Sequence, residues 1–259
     1  MVSKVQPSER LKHMFRKAHD TIVLSCLQGV MGGVYADDAL CPSSAMAKLG
    51  DFAFFTGKPN AELILLSQRE HRYMILIPQD GAWETAIEEH LGTRARKIER
   101  YAFFKDPNAA FDRRKLEKTA ATLPDGCELA LIDRALYETC LVTDWARDLV
   151  SNYPDFETYG RIGIGVAALK NGELVAGASS YSSYMGGIEI EIDTKEEYRR
   201  RGLALACGAR LILECLDRGL YPSWDAANLA SVGLAEKLGY RFDRAYTAYE
   251  TYGGRSAEP

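Results

Sequence analysis

The sequence predicts an α+β protein whose C-terminal half holds a mixed sheet flanked by helices. Two patterns in one stretch indicate this class. Ile188, Ile190 and Ile192 alternate with acidic residues, which is the period-2 pattern of a strand with two unlike faces. The run at 203–216 is mostly apolar and long enough for a helix, and Gly219 supplies its stop signal. This stretch therefore consists of a strand, a basic turn and a helix.

The elements around this stretch follow in a regular order. Asn171-Gly172 predicts a tight hairpin, because both residues tolerate a positive φ. Asn228 and Gly239 mark the start and the end of a further helix. The predicted elements are a strand at 127–132, a helix at 143–150, strands at 160–169, 173–181 and 188–194, a helix at 203–216, a strand at 221–224, a helix at 229–238 and a strand at 240–252.

The first 122 residues predict a separate α+β accessory domain. Pro124-Asp125-Gly126 is a turn signal, so the predicted domains are 1–122 and 123–259. Periodicity leaves residues 21–28 open, as either a helix or the start of a strand. The domain carries no motif of its own, and we expect it to support packing or to form walls of a substrate site.

Composition excludes several classes of protein. The net charge of −4 argues against a dedicated nucleic-acid-binding protein. The six cysteines form no C-x-x-C pair, which favours reduced thiols and a cytoplasmic protein. The most apolar early run, at 21–36, is too short to span a bilayer, so we expect no membrane anchor. The histidines at 13, 19, 71 and 90 lack metal-ligand spacing, and we expect no metal.

A basic turn precedes the 203–216 helix, and it reads Arg199-Arg200-Arg201-Gly202-Leu203-Ala204. A helix N-terminus carries unpaired N–H groups and about half a positive charge, so it attracts anions. Gly202 has no Cβ and allows a ligand to approach the backbone closely. The turn therefore predicts a phosphate or pyrophosphate seat, and a solvated charged turn is the alternative.

The same six residues match the Arg/Gln-x-x-Gly-x-Gly/Ala signature of the GNAT acyltransferases. Asn228-Leu229-Ala230-Ser231 and the run AEKLGY at 235–240 resemble the next motif of that superfamily. The longer string YPSWDAANLASVGLAEKLGY resembles the subgroup that includes zwittermicin-resistance acetyltransferases. The resemblance covers residues 123–252. It implies a GNAT-like sheet in which acyl-CoA enters a gap between two splayed strands.

The resemblance also implies which residues bind the co-substrate, acetyl-CoA. Backbone amides of the turn would hold the pyrophosphate, and the end of the 188–194 strand would pair with the pantetheine arm. One N–H of that strand would polarise the thioester carbonyl. Ordinary strand pairing and helix capping are the alternatives. The implied binding residues are Ile192, Asp193, Thr194, Arg199, Arg200, Arg201, Gly202, Leu203, Ala204, Asn228 and Ser231.

Glu189 is the first candidate for the base that deprotonates the amine. It lies on the strand face opposite Ile188 and Ile190. The resemblance places it where many GNAT enzymes carry a catalytic glutamate. A carboxylate on a solvated sheet face is the alternative. Glu191 and Asp225 are reserve candidates, and Asp225 would also attract a cationic amine or bond to the loop backbone.

One departure from the family pattern concerns the leaving thiolate. Many GNAT enzymes carry Leu-Tyr in the second helix, and this chain has Leu234-Ala235 there. The usual general acid is therefore absent from that position. Tyr181, Tyr184, Tyr240 or water would replace it, or the thiolate would leave unprotonated, since the pKa of a thiol is about 8.5.

The sequence thus predicts an acetyl-CoA-dependent N-acetyltransferase that acts by direct transfer on a small primary amine. Its expected partners are acetyl-CoA and that amine, and a homodimer is compatible with the sequence. The alternative is a non-catalytic acyl-CoA-binding sensor or interaction protein with a GNAT fold, which the alanine at 235 favours.

Overall fold

The computed structural model describes residues 1–16, 20–69, 73–105 and 111–252. The chain divides into two compact units, Met1–Arg100 with Ala245–Pro259, and Tyr101–Arg244. By this division residues 101–122 fall in the second unit, and the domain boundary after residue 122 stays a prediction. The histidines at 19 and 71 lie outside the described residues.

The first unit is an α+β structure. Its elements are β1 (Ser3–Val5), α1 (Glu9–Met14), α2 (Thr21–Gln28), β2 (Gly33–Ala36), β3 (Ser44–Leu49), β4 (Phe52–Gly57), α3 (Ala61–Ser67), β5 (Tyr73–Ile77), α4 (Gly81–Leu91) and the first part of β6 (Ala95–Phe103). The strands β1 to β5 pair in chain order, and only β4 and β5 run parallel. Trp83 of α4 is fully buried in the core and stacks on Phe55 at 4.8 Å.

The second unit carries the elements on which the predicted site lies. They are α5 (Arg113–Ala120), β7 (Cys127–Leu131), α6 (Arg134–Val142), α7 (Phe156–Ile162), β8 (Gly165–Lys170), β9 (Glu173–Tyr184), β10 (Gly187–Thr194), α8 (Leu203–Asp217), β11 (Tyr221–Ser223), β12 (Asp225–Ala226), α9 (Leu229–Leu238) and the first part of β13 (Phe242–Tyr252). The last part of β13 belongs to the first unit and pairs there with β5, Tyr249 opposite Leu76.

A five-stranded sheet forms the centre of the second unit, in the order β11-β10-β9-β8-β7. Its pairs are antiparallel except for β10 and β11, which run parallel. Helix α8 packs on one face of β8, β9 and β10, and α5 packs on α8. The short 3₁₀ segment Asp144–Leu149 packs on β9 and β10. The mixed α+β class and the helix-flanked sheet are as predicted.

The hairpin and the two helix ends are also as predicted. Asn171 and Gly172 both have positive φ, 51° and 85°. Asn228 Oδ1 accepts a hydrogen bond from Ser231 N at 3.0 Å and caps α9, and Gly239 ends that helix in the left-handed region. Residues 21–28, left open by the sequence, form helix α2.

Two predictions around the middle of the chain are wrong in part. The strand expected at 160–169 begins only at Gly165, because Asp155 caps helix α7 by accepting from Thr158 N at 2.7 Å. Asp133 likewise caps helix α6, which the sequence analysis did not predict. The helix expected at 143–150 is a 3₁₀ segment. Across the described ranges, no helix is both long enough and apolar enough to cross a membrane.

Candidate active site

Strands β10 and β11 pair over three rows and then separate. The paired rows are Gly187 with Tyr221, Ile188 with Pro222, and Glu189 with Ser223. Strand β10 continues to Thr194, whereas β11 ends at Ser223. The chain then enters β12, which pairs with β6 instead. The Glu189–Ser223 row therefore lies at the vertex of a gap between two parallel strands.

Helix α8 begins beside the end of β10 with an open N-terminus. Gly202 is its N-cap residue, with φ 82°, and no side chain in the described part of the chain caps this end. A Cβ built on Gly202 would meet none of the described atoms within 4 Å. Gly202 is exposed, while the next residue, Leu203, is buried and holds the helix on the sheet. The first N–H groups of α8 thus face open space, as an anion seat requires.

The three arginines before Gly202 are exposed, and two of them contact residues of the same turn. Arg199 Nε donates to Thr194 O at 3.2 Å, which ties the turn to the last residue of β10. The guanidinium of Arg201 lies 5.1 Å from the centre of the Tyr198 ring. Arg200 has a positive φ of 60°. These contacts place three cationic side chains at the helix N-terminus, where they add to the positive potential of the helix dipole.

Glu189 lies in a row of polar residues that crosses three strands. Its register partners are Ser182 on β9 and Ser223 on β11. All three are nearly inaccessible, with exposures of 5% for Glu189 and 0% for the two serines. A solvated sheet face, the alternative considered for Glu189, does not describe this position. A carboxylate this deeply buried is costly unless its site stabilises it, and such carboxylates concentrate at functional sites.

Strand β9 supplies an unusual number of buried hydroxyls to this region. Tyr159 Oη bonds Ser179 Oγ at 2.9 Å, and Tyr153 Oη bonds the Oγ atoms of Ser180 and Ser183 at 2.6 and 2.9 Å. Ser182 Oγ differs, because the described residues give it no hydrogen-bond partner. Buried polar atoms usually find a partner in protein or water, so Ser182 leaves a vacant acceptor and donor beside Glu189.

The other two carboxylates proposed for catalysis lie away from the vertex. Glu191 is two residues further along β10, pairs with Ser179 of β9 and is half-buried. Asp225 is in β12, pairs with Ala102 of β6 and is also half-buried. Of the three candidates, only Glu189 lies in the last row that β10 shares with β11.

Asp193 is the residue of the binding set with the most perturbed acidity. Burial, together with the nearby charge of Asp148, raises the pKa of its carboxyl to about 6 against the opposing effects of the Thr194 backbone and Arg199. Asp148 lies in the 3₁₀ segment and approaches Asp193 only in the folded chain, so the sequence analysis did not predict this interaction. Ionised Asp193 is therefore destabilising at neutral pH.

Asp193→Asn is expected to raise the free energy of unfolding at pH 7 by about 2 kcal/mol, after a discount for partial exposure. The folded-state pKa lies above the ordinary value, so the stability tied to the protonated form is complete below pH 4 and is lost as the pH rises through 6. Melting temperatures of the variant and the wild type should agree at pH 4 and diverge towards pH 7. A gain that is equal at both values would contradict the assignment, and Asp148→Asn should give a smaller gain of the same sign.

Helix α9 presents its first turn to Trp224. Trp224 Nε1 donates to Ser231 Oγ at 3.2 Å, so the hydroxyl predicted to contact the CoA arm already accepts the indole proton. Asn228 is exposed, and its Oδ1 serves as the cap. Ala235, where the family resemblance implied a tyrosine, is fully buried in the apolar core with Trp224 and Leu238.

Two of the tyrosines considered as substitutes differ in their bonding. Tyr240 Oη donates to Pro222 O at 2.7 Å, and burial raises the pKa of Tyr240 well above its ordinary value. Its proton is therefore committed to the backbone. Tyr184 Oη instead lies 3.2 Å from Ser223 Oγ, beside the Glu189 row. Tyr181 is buried at 6% exposure.

Glu189 and the predicted binding residues thus fall into four groups. Glu189 lies at the vertex of the gap, Ile192 to Thr194 lie on the part of β10 beyond it, and 199–204 form the turn that Arg199 ties to Thr194. Asn228 and Ser231 stand together at the start of α9. The sequence analysis missed Ser182 and Ser223. Their signals are the run Ser-Ser-Tyr-Ser-Ser-Tyr at 179–184, which begins at the end of the predicted 173–181 strand, and the serine next to Trp224 in the predicted 221–224 strand.

A helix-flanked mixed sheet, two parallel strands that separate, and an open helix N-terminus beside them together define a GNAT-type transferase. The GNAT acetyltransferase family model matches residues 12–249, and the chain belongs to this family. The match begins near the N-terminus, so the family likeness extends over most of the segment that the sequence analysis left without a motif.

Similar proteins carry the same description. The uncharacterized N-acetyltransferase YdfB of Bacillus subtilis (strain 168) is 29% identical over 258 residues, which cover 92% of this chain and 94% of that protein. A GCN5-related N-acetyltransferase-like protein from Streptococcus suis 89/1591 has a crystal structure with a TM-score of 0.89 and 48% identity, covering 93% of this chain and 97% of that one. A putative GNAT-family acetyltransferase from Novosphingobium aromaticivorans DSM 12444 shares the fold, with a TM-score of 0.54 and 19% identity over 90% of this chain and 96% of that one. The protein is an N-acetyltransferase of the GNAT type, and GNAT enzymes use acetyl-CoA as co-substrate.

Proposed function

We propose that this protein transfers the acetyl group of acetyl-CoA directly to the primary amine of a small acceptor. The observation that carries the proposal is the position of Glu189, a buried carboxylate in the row where β10 and β11 separate. The open N-terminus of α8 lies at the other end of the same strand segment. A thioester held along this segment would extend from an anion seat to a carboxylate.

The turn at 199–204 would bind the pyrophosphate of acetyl-CoA. Its free N–H groups and three exposed arginines supply both hydrogen-bond donors and positive charge, which suit a diphosphate. The backbone of Ile192, Asp193 and Thr194 would pair with the pantetheine arm. Asn228 and Ser231 would contact the same arm from α9, Ser231 while it also accepts the Trp224 indole proton.

Glu189 would act as the general base, because only the neutral amine attacks the carbonyl carbon. The amine nitrogen forms the new C–N bond, its proton passes to Glu189 directly or through one water, and the C–S bond breaks. A backbone N–H of β10 would stabilise the oxyanion that develops on the carbonyl oxygen. The lone Ser182 hydroxyl opposite Glu189 is suited to hold such a water.

The acceptor would be a small molecule that is cationic before deprotonation. Glu191, two residues further along β10, and Asp225, two residues after Ser223, would serve as reserve bases or would attract the ammonium. A cytoplasmic location, and modification of an amino antibiotic as in the zwittermicin-resistance subgroup, remain proposals that rest on the sequence pattern.

A non-catalytic acyl-CoA sensor is the second candidate, and one observation favours it. Ala235 is fully buried in the core, so no side chain at this position reaches a thiol. Enzyme and sensor share the acetyl-CoA seat and differ in whether the thioester is consumed.

Two measurements test the proposal. Acetyl-CoA and CoA should raise the melting temperature in proportion to the logarithm of their concentration, since a ligand stabilises only the state that binds it. Thiol release should then be followed with glucosamine, spermidine, tyramine and lysine as probes. Thiol release above the acceptor-free rate with any of them supports the enzyme, and stabilisation without release from a broader amine panel supports the sensor. A melting temperature that neither ligand changes would refute both.

A further inference from the structure

The side chain of Tyr184 crosses strand β10 and reaches β11. Tyr184 on β9 is the register partner of Gly187 on β10. A Cβ at position 187 would overlap the phenol oxygen of Tyr184, so the path of the ring depends on the missing side chain of Gly187. Beyond it, Tyr184 Oη approaches Ser223 Oγ to 3.2 Å.

Ser223 connects this phenol to the proposed base. It is the register partner of Glu189 on the other side of β10, and residues paired in this way project from the same face of a sheet. Ser223 has 0% exposure and Glu189 has 5%. The negative charge of Glu189 also acts on the Tyr184 phenol. Carboxylate, serine hydroxyl and phenol thus form one series at the vertex of the gap, in which Glu189 and Ser223 are buried and Tyr184 is half-buried.

We propose that Ser223 and Tyr184 form a proton relay that carries the proton taken up by Glu189 to the sulfur of the departing thiolate. The relay rests on the proposed function, because it needs Glu189 to be the base. The carboxylic acid proton of Glu189 passes to Ser223 Oγ, the Ser223 proton passes to Tyr184 Oη, and the Tyr184 proton passes to sulfur. Glu189 returns to the carboxylate, both hydroxyls are restored, and the products are the amide and neutral CoA thiol.

The acidity of Tyr184 explains why both hydroxyls are required. Burial raises the pKa of Tyr184 to about 12, and the Glu189 charge adds to this effect against the Ser223 hydrogen bond. A CoA thiol has a pKa near 8.5, so Tyr184 alone is a weaker acid than the thiol it would form. Transfer becomes favourable only when Ser223 replaces the lost proton at the same time. The nearby Tyr240 has its own proton committed to Pro222 O.

Four variants test the relay: Tyr184→Phe, Ser223→Ala, their combination, and Tyr240→Phe as the control. We expect each relay variant to lower kcat by about 100-fold, within the usual range for a lost proton-transfer group. Each should bind acetyl-CoA with a Kd within about twofold of the wild type, because the relay residues lie outside the turn that is proposed to bind the pyrophosphate. The kcat of the double variant should be at most about threefold lower than that of either single variant, because the effects of two substitutions in one relay do not add. Tyr240→Phe removes a buried hydrogen bond and should lower the melting temperature, with kcat within about threefold of the wild type.

The outcomes separate the relay from the function on which it rests. Tyr184→Phe or Ser223→Ala with wild-type kcat overturns the relay alone, as does a double variant whose loss is the product of the two single losses. A wild type that neither binds acetyl-CoA nor releases thiol with the four amine probes overturns the proposed function and the relay together. If Ser223→Ala does not fold, the kcat of Tyr184→Phe alone tests the relay, because this substitution keeps the ring over Gly187 and removes only the phenol oxygen.

Discussion

Glu189→Gln is expected to lower kcat by about 1,000-fold, because a positioned general base typically contributes 10²–10⁴-fold. Glutamine keeps the size and shape of glutamate but cannot accept the amine proton. The Kd for acetyl-CoA should stay within about twofold of the wild type, since the proposed base lies away from the helix N-terminus. Steady-state thiol release gives kcat, and equilibrium titration gives the Kd.

The control for this prediction is another carboxylate of the same sheet. Glu128 lies on β7, pairs with Leu169 and is exposed, so Glu128→Gln removes one negative charge without changing the row at the vertex. It should leave kcat within about twofold of the wild type. A Glu189→Gln variant that keeps the wild-type pH–rate profile would show that another group is the base, and Glu191 and Asp225 would be tested next.

The sequence predicted the position of Glu189 better than its surroundings. Alternation with Ile188 and Ile190 placed it on the face opposite the apolar core, and the strand is confirmed at Gly187–Thr194. Its burial depends on neighbours that are distant in sequence. Ser182 and Ser223 reach it only through the pairing of β9 and β11 with β10. The register shift of the β9–β10 pair between Glu189 and Ile190 has no signature in the sequence either.

Local signals explain which elements could be predicted. The hairpin at Asn171-Gly172 and the helix end before Gly219 each depend on the backbone conformation of only a few neighbouring residues. Both therefore follow from local backbone sterics alone. Helices α6 and α7 were missed because they have only nine and seven residues and their N-termini are set by the side chains of Asp133 and Asp155. Aspartate is common in loops as well as at helix N-caps, and only the folded structure shows which of the two roles a given aspartate has.

The turn at 199–204 is the opposite case, because a short segment there predicted the start of a helix correctly. The sequence analysis predicted a helix at 203–216 directly after the basic turn, and α8 spans Leu203–Asp217. What the motif did not contain is the contact of Arg199 with Thr194 O, which joins the turn to the end of β10. That hydrogen bond joins the two segments that we propose to bind acetyl-CoA.

Gly202→Asp is expected to raise the Kd for acetyl-CoA by about 100-fold, equivalent to about 2.7 kcal/mol of binding free energy. The new carboxylate would accept the N–H groups of the first turn of α8, as N-cap aspartates do, and would repel the pyrophosphate. The fold should persist, because a Cβ at this position meets none of the described atoms within 4 Å and the cap offsets the strain of φ 82°. Titration of acetyl-CoA with the variant and the wild type measures the change.

Gly219→Asp is the matched control for this variant. Gly219 follows the other end of α8, has a φ of 66° and, like Gly202, has no described atom within 4 Å of an added Cβ. Gly219→Asp therefore adds a similar backbone strain and the same charge to the same helix, away from the proposed seat. It should leave the Kd for acetyl-CoA within about twofold of the wild type. Gly202→Asn separates charge from size, because asparagine caps equally well and carries no charge, and its Kd should lie between those of Gly202→Asp and the wild type. Equal Kd values for the two aspartate variants would place the pyrophosphate elsewhere, since only the end of the helix distinguishes them.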